Sequence, residues 1–526
     1  MSPVDSPGSA DVASLRREAE RVGFAFVETV TDDMLDPALV VNVPVEWART
    51  NVLLPVRLAG RLCVLTAEPS PAGSVEDVAL LIGQPLTPVA APRGAILQAI
   101  EQCYYRRTDT AERFVQDHMD TGEAPARPRT RADDLLQESR QAPVMQLVNL
   151  ILLEAVRRDA SDIHIEPFED RLRVRYRVDG VLYEQTSPPR SVEESLVSRI
   201  KVMARMDIAE KRLPQDGMAR VRVGDREIDI RVSTVPVAEG ERVVLRLLNR
   251  DSSLLPLSAL GMPAGLLGAF ERLMASANGM LVVSGPTGSG KTTTLYAALG
   301  QVDSSRRNIL TIEEPIEYQL PNIGQIQVKP KIGLTFAVGL RHILRQDPDV
   351  VLVGETRDLE TAEIAVRASL TGHLVLSTLH TNDAPGAITR LVDMGVEPFL
   401  LASCLRGALA QRLVRRLCSC RRMGPLPDAD RKSGGALAAR IPPDALVGVA
   451  VGCPACIEGY RGRVGVFELM VMDRELQEVV RLGHAGVESL REKGLAAGMH
   501  TLADDGIAKV LAGVTSFAEV HAAMFS

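Results

Sequence analysis

Residues 280–294 read Met-Leu-Val-Val-Ser-Gly-Pro-Thr-Gly-Ser-Gly-Lys-Thr-Thr-Thr. Four apolar residues, a glycine-rich loop and a helix-compatible run follow one another without interruption. That order predicts a buried strand, a tight loop and a helix, which is the setting a P-loop needs. Glycines let backbone N–H groups turn inward around phosphate oxygens. The expected cradle is Gly285, Pro286, Thr287, Gly288, Ser289, Gly290, Lys291, Thr292 and Thr293. Lys291 supplies a compact positive charge for the β- and γ-phosphates, and the Thr292 hydroxyl is placed to ligate Mg²⁺. A chain built this way is expected to bind a nucleoside triphosphate. The bland alternative is a glycine-rich turn with an incidental lysine.

The chain has 526 residues, 46% of them apolar, enough for several cores. Its net charge is −7 and no basic run stands out, which argues against a grip on phosphate backbones. Aromatic residues make up 3%, leaving few platforms on which single-stranded bases stack. No segment approaches 18 uninterrupted apolar residues, so no membrane-spanning helix is expected. The start, Met1-Ser2-Pro3-Val4-Asp5-Ser6, lacks a charged-then-apolar signal pattern, and a cytoplasmic protein is expected. Seven cysteines include four clustered late, a pattern that suggests metal in a reducing compartment.

Along the chain, residues 1–117 alternate short apolar stretches with turns and read as a small α+β domain. Residues 118–141 are polar and rich in Pro, Arg and Asp, as a linker is. A second α+β domain is expected over 142–250. It carries a strand at Asp162–Glu166, a hairpin around Asp179-Gly180 and another around Gly224-Asp225. Its arginine-rich strand face is either simply solvated or reaches a nucleotide. After a short connection (251–260), residues 261–415 alternate strands and helices, with strands expected at Asn308–Ile312, Val350–Val353 and Leu374–Thr378. This predicts a parallel sheet with ligand at the carboxyl ends of its strands. A cysteine-bearing insertion (416–464) and a helical region (465–526) complete the chain.

Three further stretches carry candidate chemistry. Leu310–Tyr318 places Glu313 immediately after a strand, with Glu314 and Glu317 near it. Val350-Val351-Leu352-Val353-Gly354-Glu355 resembles a Walker B strand, with Glu355 standing in for the usual Asp. Thr371–Asn382 carries His373 and His380 at the two ends of one apolar strand. Each is a core-histidine candidate alone; as a pair they are candidates for sensing the γ-phosphate.

Together with Ser161-Asp162-Ile163-His164-Ile165-Glu166-Pro167, Arg212-Leu213-Pro214-Gln215-Asp216-Gly217, and Cys453-Pro454-Ala455-Cys456 followed by Gly459-Tyr460-Arg461-Gly462-Arg463, these boxes resemble the secretion traffic ATPase family over roughly 142–526. The likeness is strongest to its type II secretion branch and close to the type IV pilus assembly branch. Residues 1–117 resemble the family's docking domain loosely. The resemblance implies a RecA-like P-loop core preceded by a PAS-like domain. It implies a homohexameric ATPase, peripheral on the cytoplasmic face of the inner membrane, that docks on secretion platform proteins through its N-terminal domain. It implies ATP and Mg²⁺, with Glu313 as the water-orienting base and Glu355 as the Mg²⁺ partner, though both lie at one sheet edge and the roles stay interchangeable. It also implies that Arg231 and Arg246 serve the phosphates, with Arg242 as runner-up.

The chain departs from the family pattern at three places. Glu314 stands where Asp is usual, Met218 where Arg is common, and Cys418-Ser419-Cys420 is one residue tighter than a CxxC. Cys418, Cys420, Cys453 and Cys456 are still expected to form a four-thiolate structural Zn²⁺ cage. A DNA translocase and a non-enzymatic nucleotide-binding scaffold are the rival readings; acidic balance opposes the first, and the carboxylates and arginines around the loop oppose the second.

Overall fold

The computed structural model describes residues 9–40, 43, 45–58, 60–68, 72–105, 111–112, 115, 134–223, 226–249, 255–483 and 486–525. The chain divides into two compact units, one formed by 1–176 and 182–247, the other by 177–181 and 248–526.

The first unit holds two sheets. Strands β1 (Ala25–Phe26), β2 (Leu53–Leu58), β3 (Arg61–Thr66) and β4 (Thr87–Ala90) lie in the order β1-β4-β3-β2. Leu53, Leu54, Val56, Val64, Leu65 and the helix residues Ile96 and Ile100 form the core beneath them, with Cys63 and Cys103 among these side chains. The second sheet comprises β5 (Asp162–Pro167), β6 (Leu172–Val178), β7 (Val181–Thr186), β8 (Gln215–Val223), β9 (Arg226–Val237) and β10 (Gly240–Asn249), ordered β7-β6-β5-β10-β9-β8. In β6 the buried residues alternate with half-exposed Arg173, Arg175 and Arg177, as a half-solvated strand should. Asp179 and Gly180 both have positive φ, 50° and 90°, the requirement of a two-residue hairpin turn. The Gly224-Asp225 turn lies outside the described residues. So do positions 118–133 of the expected linker. The helix Asp134–Arg157 begins inside its remainder, where Leu135, Leu136, Gln137 and Glu138 are all good helix formers.

The second unit is built on a seven-stranded sheet. Its strands are β11 (Gly279–Ser284), β12 (Ile309–Glu313), β13 (Gly324–Gln327), β14 (Val350–Val353), β15 (Leu374–Leu379), β16 (Leu405–Leu417) and, after the hairpin β17 (Arg422–Pro425) and β18 (Leu446–Val449), β19 (Tyr460–Val471). The order is β13-β12-β14-β15-β11-β16-β19. Pairings are parallel throughout except β16 with β19. β11 lies between β15 and β16 and is wholly buried because both faces are covered: Met280 and Val282 enter one apolar core, Leu281 and Val283 the other. That double burial explains a continuous apolar run where a half-exposed strand would alternate. Each such side chain contributes about 1.5–3 kcal/mol when taken from water.

Helices between the strands are stopped and started by local chemistry. Asp358 Oδ1 accepts from Thr361 N at 2.8 Å, and Asp383 Oδ1 from Gly386 N at 2.7 Å, each capping a helix start. β19 crosses the 464/465 boundary expected from sequence, because its apolar residues Val466, Phe467, Leu469 and Met470 are needed to close the sheet against β16. The intervening cysteine segment has a core that is only partly its own. Leu426, Leu437, Ile441 and Val447 pack with Ile507, Val510, Phe517 and Val520 from the helices Leu502–Leu511 and Phe517–Phe525. Among the described residues no helix is long and apolar enough to cross a membrane.

Candidate functional site

The loop between β11 and the helix Lys291–Leu299 sits at the carboxyl edge of the parallel strands, as expected. Gly285 has φ +147°, and a Cβ there would stand 2.3 Å from the Gln411 carbonyl oxygen, so no other residue fits. Gly290, at φ +86°, starts the helix. Thr287, Gly288 and Thr293 are exposed, Pro286 and Thr292 half-buried, and Ser289 buried. Lys291 is buried, and its Nζ donates to the carbonyls of Gly285 (2.7 Å) and Pro286 (3.0 Å). Burial pulls its pKa down to about 8, with the Glu355 carboxylate opposing that fall.

Glu355 follows β14. His380 Nε2 lies 2.9 Å and Arg357 Nε 2.7 Å from its Oε1. Burial works against the Glu355 charge, but Arg357 and His380 outweigh it and hold the carboxyl below its usual range. The Arg357 guanidinium also stands 3.8 Å from Glu314, so the extra methylene at that position keeps a charged contact. Glu313 has a different environment. It ends β12, is 3% exposed, and accepts from the hydroxyls of Tyr296 and Thr311 and from Gln325 Nε2 at 3.1 Å. Burial pushes the Tyr296 phenol up, which keeps it a donor. The carboxylates that looked alike in the sequence are thus unlike: Glu355 is partly open among charges and within the field of Lys291, while Glu313 is enclosed by donors.

The two histidines are not brought together. His380 touches Glu355, but His373 precedes β15 at the far edge of the sheet. Its carbonyl accepts from Gly279 N, at the start of the P-loop strand, at 3.1 Å, and its ring Nδ1 lies 2.8 Å from Ala368 O. A six-residue strand at about 3.3 Å per residue puts ~20 Å between them. Of the two expected γ-phosphate sensors, the structure places His380 beside Glu355 and His373 at the other end of the strand.

Arg231 and Arg246 belong to the first unit, where they line a hollow of about 490 Å³ with Asp216, Met218 and Ser233. Arg246 Nε pairs with Asp162 at 2.9 Å. The runner-up Arg242 is committed elsewhere, 2.6 Å from Glu166, which also takes Arg173 (3.1 Å) and Arg175 (2.7 Å).

The sequence reading missed Gln411. From β16, its Nε2 donates to Ser289 O at 2.8 Å and its Oε1 accepts from the Thr294 hydroxyl at 2.7 Å. The only signal was a polar residue in an otherwise apolar stretch, Gly407–Val414, beside Arg412. Asp383 and Arg491 (2.7 Å apart) were also missed, as was Glu468, which accepts from Ala384 N at 2.8 Å and Leu502 N at 3.1 Å and so anchors two helix starts.

The sulfurs of Cys418, Cys420, Cys453 and Cys456 all lie within 4.8 Å of one another. Three separations are 3.9, 3.8 and 3.6 Å. A tetrahedral ion with Zn–S bonds of about 2.3 Å requires sulfur edges of about 3.8 Å, which the three separations match, while the tighter Cys418–Cys420 pair stays within 4.8 Å. The Cys420 N–H holds the Cys418 thiol down to about 6, while burial pushes the Cys420 thiol up, so without an ion the cluster favours one thiolate at Cys418.

Residues 137–522 match the family described as Type II/IV secretion system protein. The chain belongs to that family. The resemblance read from its boxes is thereby confirmed, and the type II/IV secretion family supplies close relatives. Type II secretion system ATPase E of Vibrio cholerae is 50% identical over 426 residues, covering 80% of this chain and 84% of the relative. Type IV pilus assembly ATPase PilB of Myxococcus xanthus is 43% identical over 494 residues, covering 92% of this chain and 86% of the relative. Residues 27–110 match the MshEN domain. The Legionella pneumophila ATPase DotB shares the fold, with a TM-score of 0.52 at 22% identity over 75% of this chain and 96% of that one.

Proposed function

We infer that this member of the secretion family hydrolyses ATP to power assembly of a pilus-like fibre in type II secretion. One observation carries the reading: a buried P-loop lysine, Lys291, and an ionised carboxylate, Glu355, interact at the carboxyl edge of a parallel sheet. The relative named type II secretion system ATPase E, matched over most of both chains, supports the setting.

Within that reading, Thr292 and Glu355 would hold Mg²⁺, which when bound draws charge from the phosphates. Glu355 fits because its charge is maintained, and Thr292 because its hydroxyl stands at the first turn after the loop. Glu313, enclosed by Tyr296, Thr311 and Gln325, is better suited to fixing the strand end than to moving a proton. We therefore assign the water-orienting carboxylate to Glu355 as well, with His380 beside it. Arg231 and Arg246 are assigned to the phosphates on the family resemblance alone. The four cysteines would hold a structural Zn²⁺. A homohexamer, cytoplasmic and peripheral on the inner membrane, docked on platform proteins through the N-terminal region, completes the proposal; nucleic acid has no place in it.

Lys291→Ala tests the core claim: turnover should vanish, and unchanged turnover would remove the loop's role. A second reading, type IV pilus assembly, has the PilB match behind it, at 43% identity over 92% of the chain, where a type II relative reaches 47% over the same share. Capture of type II rather than pilus platform proteins by the full chain separates the two.

A further inference from the structure

A P-loop can aim its N–H groups at phosphate only if its carbonyls point outward and find partners there. Two of those carbonyls, Gly285 and Pro286, are served by Lys291 Nζ, the same group that must serve phosphate. The Ser289 carbonyl is served by Gln411 Nε2, from a strand 122 residues away in sequence. The other end of that amide accepts from Thr294 Oγ1, one turn into the helix that follows the loop. Gln411 and Thr294 are both buried, and neither end of the amide is open to exchange its partner for bulk water. Gln411 also crowds the loop glycines: its backbone carbonyl leaves no room for a Cβ at Gly285, and its side-chain Nε2 would stand 2.9 Å from a Cβ at Gly290. One residue thus touches the start, the end and the helical continuation of the loop.

We propose that Gln411 is a positioning residue for nucleotide binding: it holds the P-loop in its phosphate-ready shape independently of Lys291, leaving the lysine at liberty to move to the nucleotide. The proposal rests on the ATPase reading and names a residue that works through the loop, without touching the nucleotide itself. Its partner set also predicts which change is worst. Leu at 411 removes both bonds while keeping bulk. Glu keeps the bond from Thr294, loses the donor to Ser289 and brings negative charge beside the phosphate cradle.

The test is nucleotide affinity and steady-state kinetics on the full chain, using a fluorescent ATP analogue with Mg²⁺. Gln411→Leu should weaken nucleotide binding at least about tenfold, the effect of a buried polar group left unmatched, and raise KM by a larger factor than it lowers kcat. Gln411→Glu should be weaker still. Thr294→Val removes one of the two bonds from the other side, and should shift affinity in the same direction by a smaller factor. It keeps the idea testable if the Gln411 variants do not fold. A purely structural Gln411 would lower the melting temperature while folded protein kept wild-type nucleotide affinity and KM, and that result overturns the proposal. Wild-type affinity in folded Thr294→Val together with Gln411→Leu would do the same. Failure of the ATPase reading looks different, since wild type itself would then show no turnover to compare with Lys291→Ala.

Discussion

Lys291 is the residue at which burial and charge conflict most usefully. Its ammonium is buried and its pKa falls to about 8, well below the ordinary lysine value of 10.5. Bound phosphate restores the charge, so binding takes up a proton once the free lysine is partly neutral. Affinity for ATP should therefore be flat below about pH 7.5 and decline as pH rises through about 8, by up to tenfold per unit. Calorimetry in buffers of different ionisation enthalpy should register proton uptake above pH 8 and none at pH 6.5; uptake absent at both would mean the lysine is charged throughout. Glu313 makes a separate prediction. Gln at 313 keeps an acceptor for Thr311 and Gln325 and turns its amide N–H to the Tyr296 hydroxyl oxygen, which can accept, so Glu313→Gln should retain much of the turnover, whereas Glu355→Gln should lower kcat by about 10² or more while still binding nucleotide. Equal loss in the two variants would return Glu313 to the chemistry.

At the scale of elements, the central strands were legible because burial on both faces leaves unbroken apolar runs, and the P-loop because its glycines mark a backbone path. The separation of His373 from His380 was legible too, since six extended residues between them span the sheet. Gln411 was not: its two partners lie 122 and 117 residues back, and nothing local distinguishes it from a polar defect in a strand. Nor was the dependence of the cysteine segment on the last helices, because Ile507, Val510, Phe517 and Val520 look like any amphipathic face until their neighbours are known. That shared core gives the metal prediction its form. Purified protein should carry about one zinc per chain, with binding worth on the order of 10 kcal/mol in a site of this kind. Cys453→Ser should lose the metal and speed amide exchange in Leu502–Leu511 and Phe517–Phe525 as well as in the cysteine segment. Loss of zinc with unaltered exchange in those helices would show that the packing survives without the cage.

For the whole molecule, net charge and fibre assembly point the same way. A chain at −7 gains little from nucleic acid, so DNA should leave turnover unchanged, while platform fragments or anionic lipid should raise it. Stimulation by DNA would favour a translocase. Arg231→Ala with Arg246→Ala should lower kcat by about 10³ with nucleotide still bound, the scale of a phosphate-facing arginine in other NTPases. The seam between Leu417 and Tyr460 has a wider consequence. The chain leaves the sheet at one residue and re-enters at its paired neighbour just past a register shift at Arg415/Leu417, and the regular pairs from Gly407↔Val471 to Arg415↔Arg463 keep the strands in step whatever length lies between. That makes the cysteine segment a natural graft point: evolution, or an engineer, can lengthen it or exchange its tip and keep the ATP-splitting scaffold in register, provided the last two helices are still roofed.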